Sequence, residues 1–327
     1  MISRRTALAG AAAGVPLLLA NAPAATAAPS LNQNWSKLHM LFLIWSFESN
    51  PFFAPMINGV KEAEKATGIR VEIAYGNEDL TRMNNILQTA MANGTNGLGV
   101  TIPNDDALNA TLDKAKAKKI PVISFNIDNS KGAAGKTYRL AFVGQSFVNA
   151  GITLGERMIA VHHLGKGDLV FTPVEAPAAV YAVQRHAGVA QALAKVGART
   201  EILGTGNDHA KALSLMTQFL LGHSNTKAVI SLGQTPNSQA VRAIKAAGLK
   251  IPAGGFDISP SILKDILDGS LTAAVDQQPY TQGYYTVAQM ADNLRYGLYP
   301  SDMQTGGSGL IDKTNAAAAV KWAGVTR

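Results

Sequence analysis

Short apolar runs alternate with amphipathic stretches along the chain from Leu38 onward. The first run, Met40-Leu41-Phe42-Leu43-Ile44-Trp45, is too short to cross a membrane and predicts a buried strand near 39–45. Further strand-like runs lie near 70–75, 97–101, 121–125, 139–143, 167–171, 199–204, 227–231, 252–256 and 272–276. Between nearly every pair lies a helical pattern of 12 to 18 residues. Repeated strand–helix units predict parallel sheets with helices on both faces. About ten strands exceed one comfortable sheet, which predicts an α/β fold of two lobes.

The first unbroken set of units ends near Phe142. A second begins with the helical stretch from Ser146 to His163 and continues to about Ala274. An amphipathic helix over Pro279–Tyr296 and a tail from Gly309 to Arg327 are left unplaced by periodicity. No Pro/Ser-rich linker separates the halves, which favours several short crossings over beads on a string. Gly68, Gly197 and Gly248 each follow a helical run and precede a strand, where left-handed helix caps are expected.

The stretch Ser49-Asn50-Pro51-Phe52-Phe53 follows the first strand. After it, Ile57, Val60 and Ala63 recur on one helical face. Asn50 is therefore expected as a helix N-cap and Pro51 as the first helical residue, where a missing N–H costs nothing. Two phenylalanines on an opening turn cannot both face the core. At least one is expected at the open end of the sheet, where ligands of α/β proteins bind.

Composition narrows the class. Of 327 residues, 47% are hydrophobic and 16% charged, as in a well-packed globular protein. Ser3-Arg4-Arg5, an alanine-rich apolar run to about Ala20 and the small residues Ala25-Thr26-Ala27 read as an export leader over residues 1–27. The paired arginines look like a twin-arginine export signal, although a general secretory signal can also contain two arginines. No cysteine is present, so the fold uses no disulfides and no lipid anchor on an N-terminal cysteine is expected. Net charge is +7, of which Arg4 and Arg5 supply two, leaving about +5 scattered on the rest. No basic face with interleaved aromatics stands out, so no nucleic-acid partner is expected.

Familiar chemical motifs are absent from the sequence: a phosphate-cradling loop, a dinucleotide fingerprint, a zinc-binding His-Glu pattern and a nucleophile elbow. Gly204-Thr205-Gly206 reads as a strand-to-helix turn, and His162-His163 as cationic residues at a helix C-terminus. Asp105 and Asp106 read as helix-capping residues. Neither a metal site nor a cofactor is expected.

What remains is a set of polar and aromatic residues at the C-terminal ends of expected strands. Phe52 and Phe53 follow the first, Asn126 and Asp128 the fourth. Asp257 follows the run after Pro252, and Gln277 the next. Carboxylates and amides there suit vicinal hydroxyls, and an aromatic face suits the C–H face of a sugar ring. Each has a plainer reading. Asp257 could cap the helix starting near Ser259, Asn126 could order its own turn, Gln277 could be hinge scaffolding, and the phenylalanines could be core.

Asn50-Pro51-Phe52-Phe53 through Gly59 resembles the opening of the sugar-binding proteins of ABC importers, the type I periplasmic binding proteins for simple sugars. Gly97 to Leu108, Ile120 to Asn126, Val143-Gly144-Gln145 with Gly151, Arg185 with Gly188, Gly255-Phe256-Asp257 and Asp276-Gln277-Gln278-Pro279 continue the similarity in order. The resemblance implies two Rossmann-like lobes with parallel sheets, joined by a three-strand hinge, with a sugar held between them. It places the first lobe at 38–141 plus 278–304 and the second at 142–277 plus 305–327. It implies ring contacts from Phe52 and Phe53, a hydroxyl pair on Asp257, and Gln277 at both pocket and hinge.

The chain departs from the ribose-binding pattern at three positions. Ile102 stands for an asparagine, Val183 for a pocket arginine, and Gly233 for a second-lobe asparagine, beside Gln234 and Thr235. Tyr181, Gln234 and His209 are the candidates to replace those contacts.

The expectation is a periplasmic solute-binding protein without enzymatic activity. It would act as a monomer, capture a small sugar or polyol by lobe closure and deliver it to ABC permease subunits in the inner membrane. A sensory protein that presents its ligand to a chemoreceptor or histidine kinase is the alternative.

Overall fold

The computed structural model describes residues 33–306 and 309–327, so the expected leader over 1–27 lies outside the described residues. Two six-stranded sheets organise the chain. The first contains β1 (His39–Ile44), β2 (Arg70–Tyr75), β3 (Gly97–Val100), β4 (Val122–Asn126) and β5 (Ala141–Gly144). The second contains β6 (Leu169–Val174), β7 (Arg199–Gly204), β8 (Thr226–Ser231), β9 (Ala253–Phe256) and β10 (Ala273–Val275). Two short late strands complete them: β11 (Met303–Gln304) beside β5, and β12 (Leu310–Asp312) beside β10. Their orders are β11-β5-β4-β3-β1-β2 and β12-β10-β9-β8-β6-β7. All pairings are parallel except β10 with β12.

Burial explains why these strands were legible. β3, β4, β5, β6, β9 and β10 are buried at every position, because helices cover both faces of a parallel sheet. The edge strands β2 and β7 keep exposed positions.

The helices connecting the first sheet are α1 (Ala54–Thr67), α2 (Leu80–Ala92) and α3 (Asn109–Ala117). Those of the second are α4 (Phe147–His162), α5 (Val180–Ala194), α6 (His209–Gly222), α7 (Gln234–Ala246) and α8 (Pro260–Leu267). The helix left unplaced by periodicity, α9 (Pro279–Tyr296), returns to the first sheet and packs against α1. Gly59 and Gly283 explain the close approach. A Cβ on Gly59 would overlap the carbonyl of Tyr280, and one on Gly283 the carbonyl of Met56. The tail places β12 on the second sheet and packs α10 (Ala316–Val320) against α8. The chain thus crosses between sheets three times: after β5, after β10, and between β11 and β12.

Local corrections are few. Asn50 is an N-cap, but of a 3-10 turn over Pro51–Phe53 that precedes α1, and its Oδ1 accepts from the Phe52 N–H at 3.1 Å. Asn104, rather than Asp105 or Asp106, caps the turn before α3, accepting from the Asp106 and Ala107 N–H groups at 3.0 Å. Asp105 instead ties down the loop after β4, accepting from the Ser130 N–H at 2.7 Å and from its hydroxyl. Ser259, rather than Asp257, caps α8 by accepting from the Ile262 N–H at 3.3 Å. Gly68, Gly197 and Gly248 all take the left-handed conformation, with φ of 76°, 76° and 71°.

Candidate ligand-binding cleft

The C-terminal ends of strands from both sheets converge on one cleft. From the first sheet come Trp45, Ser46, Asn50, Phe52 and Phe53 after β1, Glu78 after β2, and Asn126 with Ile127 at the end of β4. From the second come Glu175 after β6, Asn207 after β7, Gly233 to Thr235 after β8, Asp257 after β9 and Gln277 after β10. Phe147, Tyr181 and Arg185 line it from the second sheet's helices. Such crevices outside strand ends are where open α/β sheets bind ligands.

Asn126 and Asp257 sit in the left-handed region at φ 60° and 66°, a conformation that costs most non-glycine residues energy. In each case the turn aims a polar side chain into a bonded network. Asn126 Nδ2 donates to Gln277 Oε1 at 3.0 Å and to Gln282 Oε1 at 2.9 Å. Gln277 Nε2 donates to Asp257 Oδ1 at 2.6 Å. Arg185 Nη1 donates to the Leu232 carbonyl at 2.7 Å and reaches Asp257 Oδ2 at 3.3 Å. Asn126, Gln277, Asp257 and Arg185 are all buried, so an unbroken polar chain runs from the first sheet, through the second crossing, into the second sheet.

The Arg185 guanidinium lies among aromatic rings, 4.8, 5.3 and 4.3 Å from the centroids of Phe147, Tyr181 and Phe256. Its Nε–H is buried and has no hydrogen-bond partner among the described residues. The position expected to lack the pocket arginine, Val183, is 53% exposed and lies outside the cleft. The cleft therefore does possess a guanidinium, from Arg185.

Glu175 is partly accessible where it lines the cleft. Its Oε1 accepts from the Thr235 N–H at 2.9 Å and its Oε2 from the Tyr181 hydroxyl at 3.2 Å. Burial pushes the Glu175 carboxyl up, and nearby Asp257 adds to that while Arg185 opposes it. Burial also raises the Tyr181 phenol well above its ordinary value. A Cβ on Gly233 would overlap the Glu175 carboxylate, coming within 2.5 Å of its Cδ and Oε1. Glycine at 233 is what leaves room for Glu175.

The other expected site residues divide. Phe52 and Phe53 meet edge-to-face, with centroids 4.9 Å apart, and both line the cleft while packing on the first sheet's core. Gln234 lines it and donates to the Ile258 carbonyl at 3.0 Å. Asp128 does not reach it. Its carboxylate pairs with Arg139 at 2.7 Å and accepts from the Ser124 hydroxyl at 2.8 Å. It braces the loop after β4, and burial raises its carboxyl against the pull of Arg139. His209 also lies outside, bonded to Ser238 at 3.1 Å.

The free volume of the cleft is about 70 Å3. Small-molecule sites run from about 300 Å3 upward, so the two sheets must part to admit a ligand. A neighbouring cavity of about 320 Å3 shares Phe52, Gln234, Asp257 and Gln277. Its remaining wall includes Pro51, Pro55, Pro260 and Pro279 and lacks Glu175 and Arg185. Among the described residues, no cluster of three or more His, Asp or Glu residues is arranged to hold a metal ion.

Comparison with known proteins agrees with this geometry. The family model of the periplasmic binding protein domain matches residues 41–297. The xylose/arabinose-binding protein of Sulfolobus acidocaldarius is 25% identical over 277 residues, 79% of this chain and 67% of that protein. The ribose import binding protein of Bacillus subtilis is 28% identical over 252 residues, 76% of this chain and 79% of that one. Among solved structures, a carbohydrate transporter from Acidothermus cellulolyticus in complex with myo-inositol superposes with a TM-score of 0.79 at 25% identity. That match covers 88% of this chain and 99% of the other.

Proposed function

The chain belongs to the periplasmic binding protein domain family, and from that premise we propose that it captures a small sugar or polyol between its two sheets for an ABC importer. Its family is one of binding proteins, and the cleft is built for reversible capture. The observation that carries the reading is Asp257: a buried carboxylate with one oxygen held by Gln277 and the other facing Arg185, across from Phe52 and Phe53. Carboxylate and guanidinium side by side can exchange paired hydrogen bonds with adjacent hydroxyls, while the rings cover C–H faces. An analogue lacking one hydroxyl leaves a buried partner unsatisfied, and that penalty gives selectivity.

Binding proceeds by closure. A ligand that touches both sheets' residues has differential affinity for the closed state and shifts the population towards it. The closed monomer is the form that permease subunits in the membrane would receive. Export to the periplasm, through the leader over residues 1–27, follows from the same reading.

A thermal-shift screen over pentoses, hexoses, deoxy sugars, inositols and linear polyols tests the proposal. A true ligand at about 100 times its dissociation constant adds about 2.7 kcal/mol of stability. Asp257→Asn and Phe53→Ala are expected to remove the shift. A full shift retained in both variants would sink the proposed site.

A further inference from the structure

The charges that line the cleft do not balance. Glu78, Glu175 and Asp257 bring three carboxylates, and Arg185 is the one cationic side chain among its lining residues. Arg185 is committed to Asp257 and to the Leu232 carbonyl, and no ion pair joins it to Glu175. Glu78 is held by Asn207, whose Nδ2 donates to its Oε1 at 2.6 Å. Glu175 receives only uncharged donors, the Thr235 N–H and the Tyr181 hydroxyl. It is therefore a cleft carboxylate with no cation of its own.

Its placement is specific. Glycine at 233 leaves the space that the carboxylate occupies, and a Cβ there would displace it. The Tyr181 hydroxyl and the Thr235 N–H fix the two oxygens, and Arg185 lines the same cleft. The groups facing Glu175 are Tyr181 and Arg185 on α5, Thr235 at the start of α7 and Asp257 after β9. Asp257 repels it, and Arg185 offsets that only in part because it serves Asp257 first. A partly buried carboxylate without a counter-ion is costly to keep charged, and a cationic group on a ligand offsets that cost.

We propose that the ligand of this cleft carries a basic amine, as an amino sugar or amino polyol, and that its ammonium group sits against Glu175. This rests on the reading that the cleft takes a sugar or polyol. An ammonium there supplies the missing counter-charge and donates to Glu175, while the ligand's hydroxyls meet Asp257. A sugar acid brings a fourth negative charge into the same space and is rejected. Glu175 is thus a specificity-determining residue.

The test is isothermal titration calorimetry at pH 7 with matched sets: glucosamine, glucose and glucuronate; galactosamine, galactose and galacturonate; glucamine, sorbitol and gluconate. In at least one set the amine is expected to bind about tenfold or more tighter than its hydroxyl counterpart, with the acid weakest. Glu175→Gln, which keeps an oxygen for the Thr235 N–H, should bring the amine-to-hydroxyl ratio to within about threefold. Gly233→Ala, which displaces the carboxylate by bulk, should do the same. Hydroxyl members that bind as tightly as their amines, or a ratio that survives both substitutions, would overturn the inference and leave the sugar reading standing. No binding by any member of any set would count against both.

Discussion

Gln277 donates to Asp257 Oδ1 at 2.6 Å with one end of its amide and accepts from Asn126 at 3.0 Å with the other. It stands on the second crossing between the sheets, so one side chain ties a strand end of each sheet to the other. Gln282 completes the junction, donating to the Gln277 carbonyl at 3.0 Å and to the Thr305 hydroxyl at 3.0 Å. The Thr305 hydroxyl in turn donates to the same Gln277 carbonyl at 2.9 Å. Two of the three crossings therefore share one buried polar cluster, which ties the Asp257 carboxylate to the segments that join the sheets.

Gln277→Leu keeps the approximate shape and removes both hydrogen bonds. Asp257 then loses a buried donor and Asn126 a buried acceptor, a cost of about 1–3 kcal/mol for each unsatisfied group. The expected outcome is a lower midpoint in urea with an unchanged slope, together with loss of ligand-induced closure in small-angle scattering. Unaltered closure would show that Gln277 only fills space.

Arg185→Met is predicted to be more damaging than its distance from the cleft mouth suggests. The guanidinium is 2% exposed, and it is the ion-pair partner that faces Asp257. Removing one partner of a buried pair leaves an uncompensated charge, at about 3–5 kcal/mol. Arg185→Lys keeps the charge but loses the planar stack on Phe147, Tyr181 and Phe256. Chemical denaturation of both variants should rank wild type above Lys above Met, with ligand affinity lost in both.

The fold was legible because central parallel strands are buried on both faces and appear as plain apolar runs. The late elements were not. β11 has two residues and β12 three, too few for any periodicity, and they are placed by pairing with distant strands. In the cleft, Phe52, Phe53, Asn126, Asp257 and Gln277 were found because each follows a clear strand end. Glu175 was missed for a definite reason. Thr172 and Pro173 look like the end of the apolar run, yet β6 continues through them to Val174, with Pro173 in register opposite Leu203. The true strand end, Val174, comes three residues after the last obvious apolar position, Phe171, and the carboxylate follows it at Glu175. Asp128 was over-read because its partner Arg139 lies eleven positions on, and only the folded loop brings the pair together.

That pair gives a control. Arg139→Met strands Asp128 without its cation among buried groups and should cost about 3–5 kcal/mol in unfolding free energy. Ligand affinity in the folded variant should stay within about twofold of wild type, because neither residue lines the cleft. A large affinity loss at full folding would return Asp128 to the site.

Glu175 makes the unliganded protein sensitive to pH, and the sign is fixed. Its carboxyl is raised in the folded state, by burial first and by Asp257 second. Between the unfolded value and the higher folded one, the folded state binds the extra proton. Stability therefore falls as pH rises through that window, by about 1.4 kcal/mol for every tenfold gain in proton affinity on folding. Glu175→Gln removes the group. Without ligand, the variant should gain in melting temperature relative to wild type as pH rises above about 4.5, levelling off once wild-type Glu175 is ionised. A difference between the two proteins that does not change with pH would refute the assignment.

Glu78 and Asn207 meet across the cleft, one after β2 of the first sheet and the other after β7 of the second. Glu78 and its neighbour Asn77 are both left-handed, at φ 59° and 54°. Their N–H groups are held by the carbonyls of Trp45 and Ser46 at 2.8 and 3.2 Å, so the strained turn aims the carboxylate at the opposite sheet. The bond joins the two sheets directly, so parting them would break it. It therefore contributes to the closed state and nothing to the open one. A hydrogen bond to a charged group contributes about 1.5–3 kcal/mol when buried, and less at a half-exposed rim. Asn207→Ala should raise the ligand dissociation rate by roughly tenfold in stopped-flow experiments, with the association rate almost unchanged. An effect confined to association would mean that the contact guides encounter and does not hold the closed form.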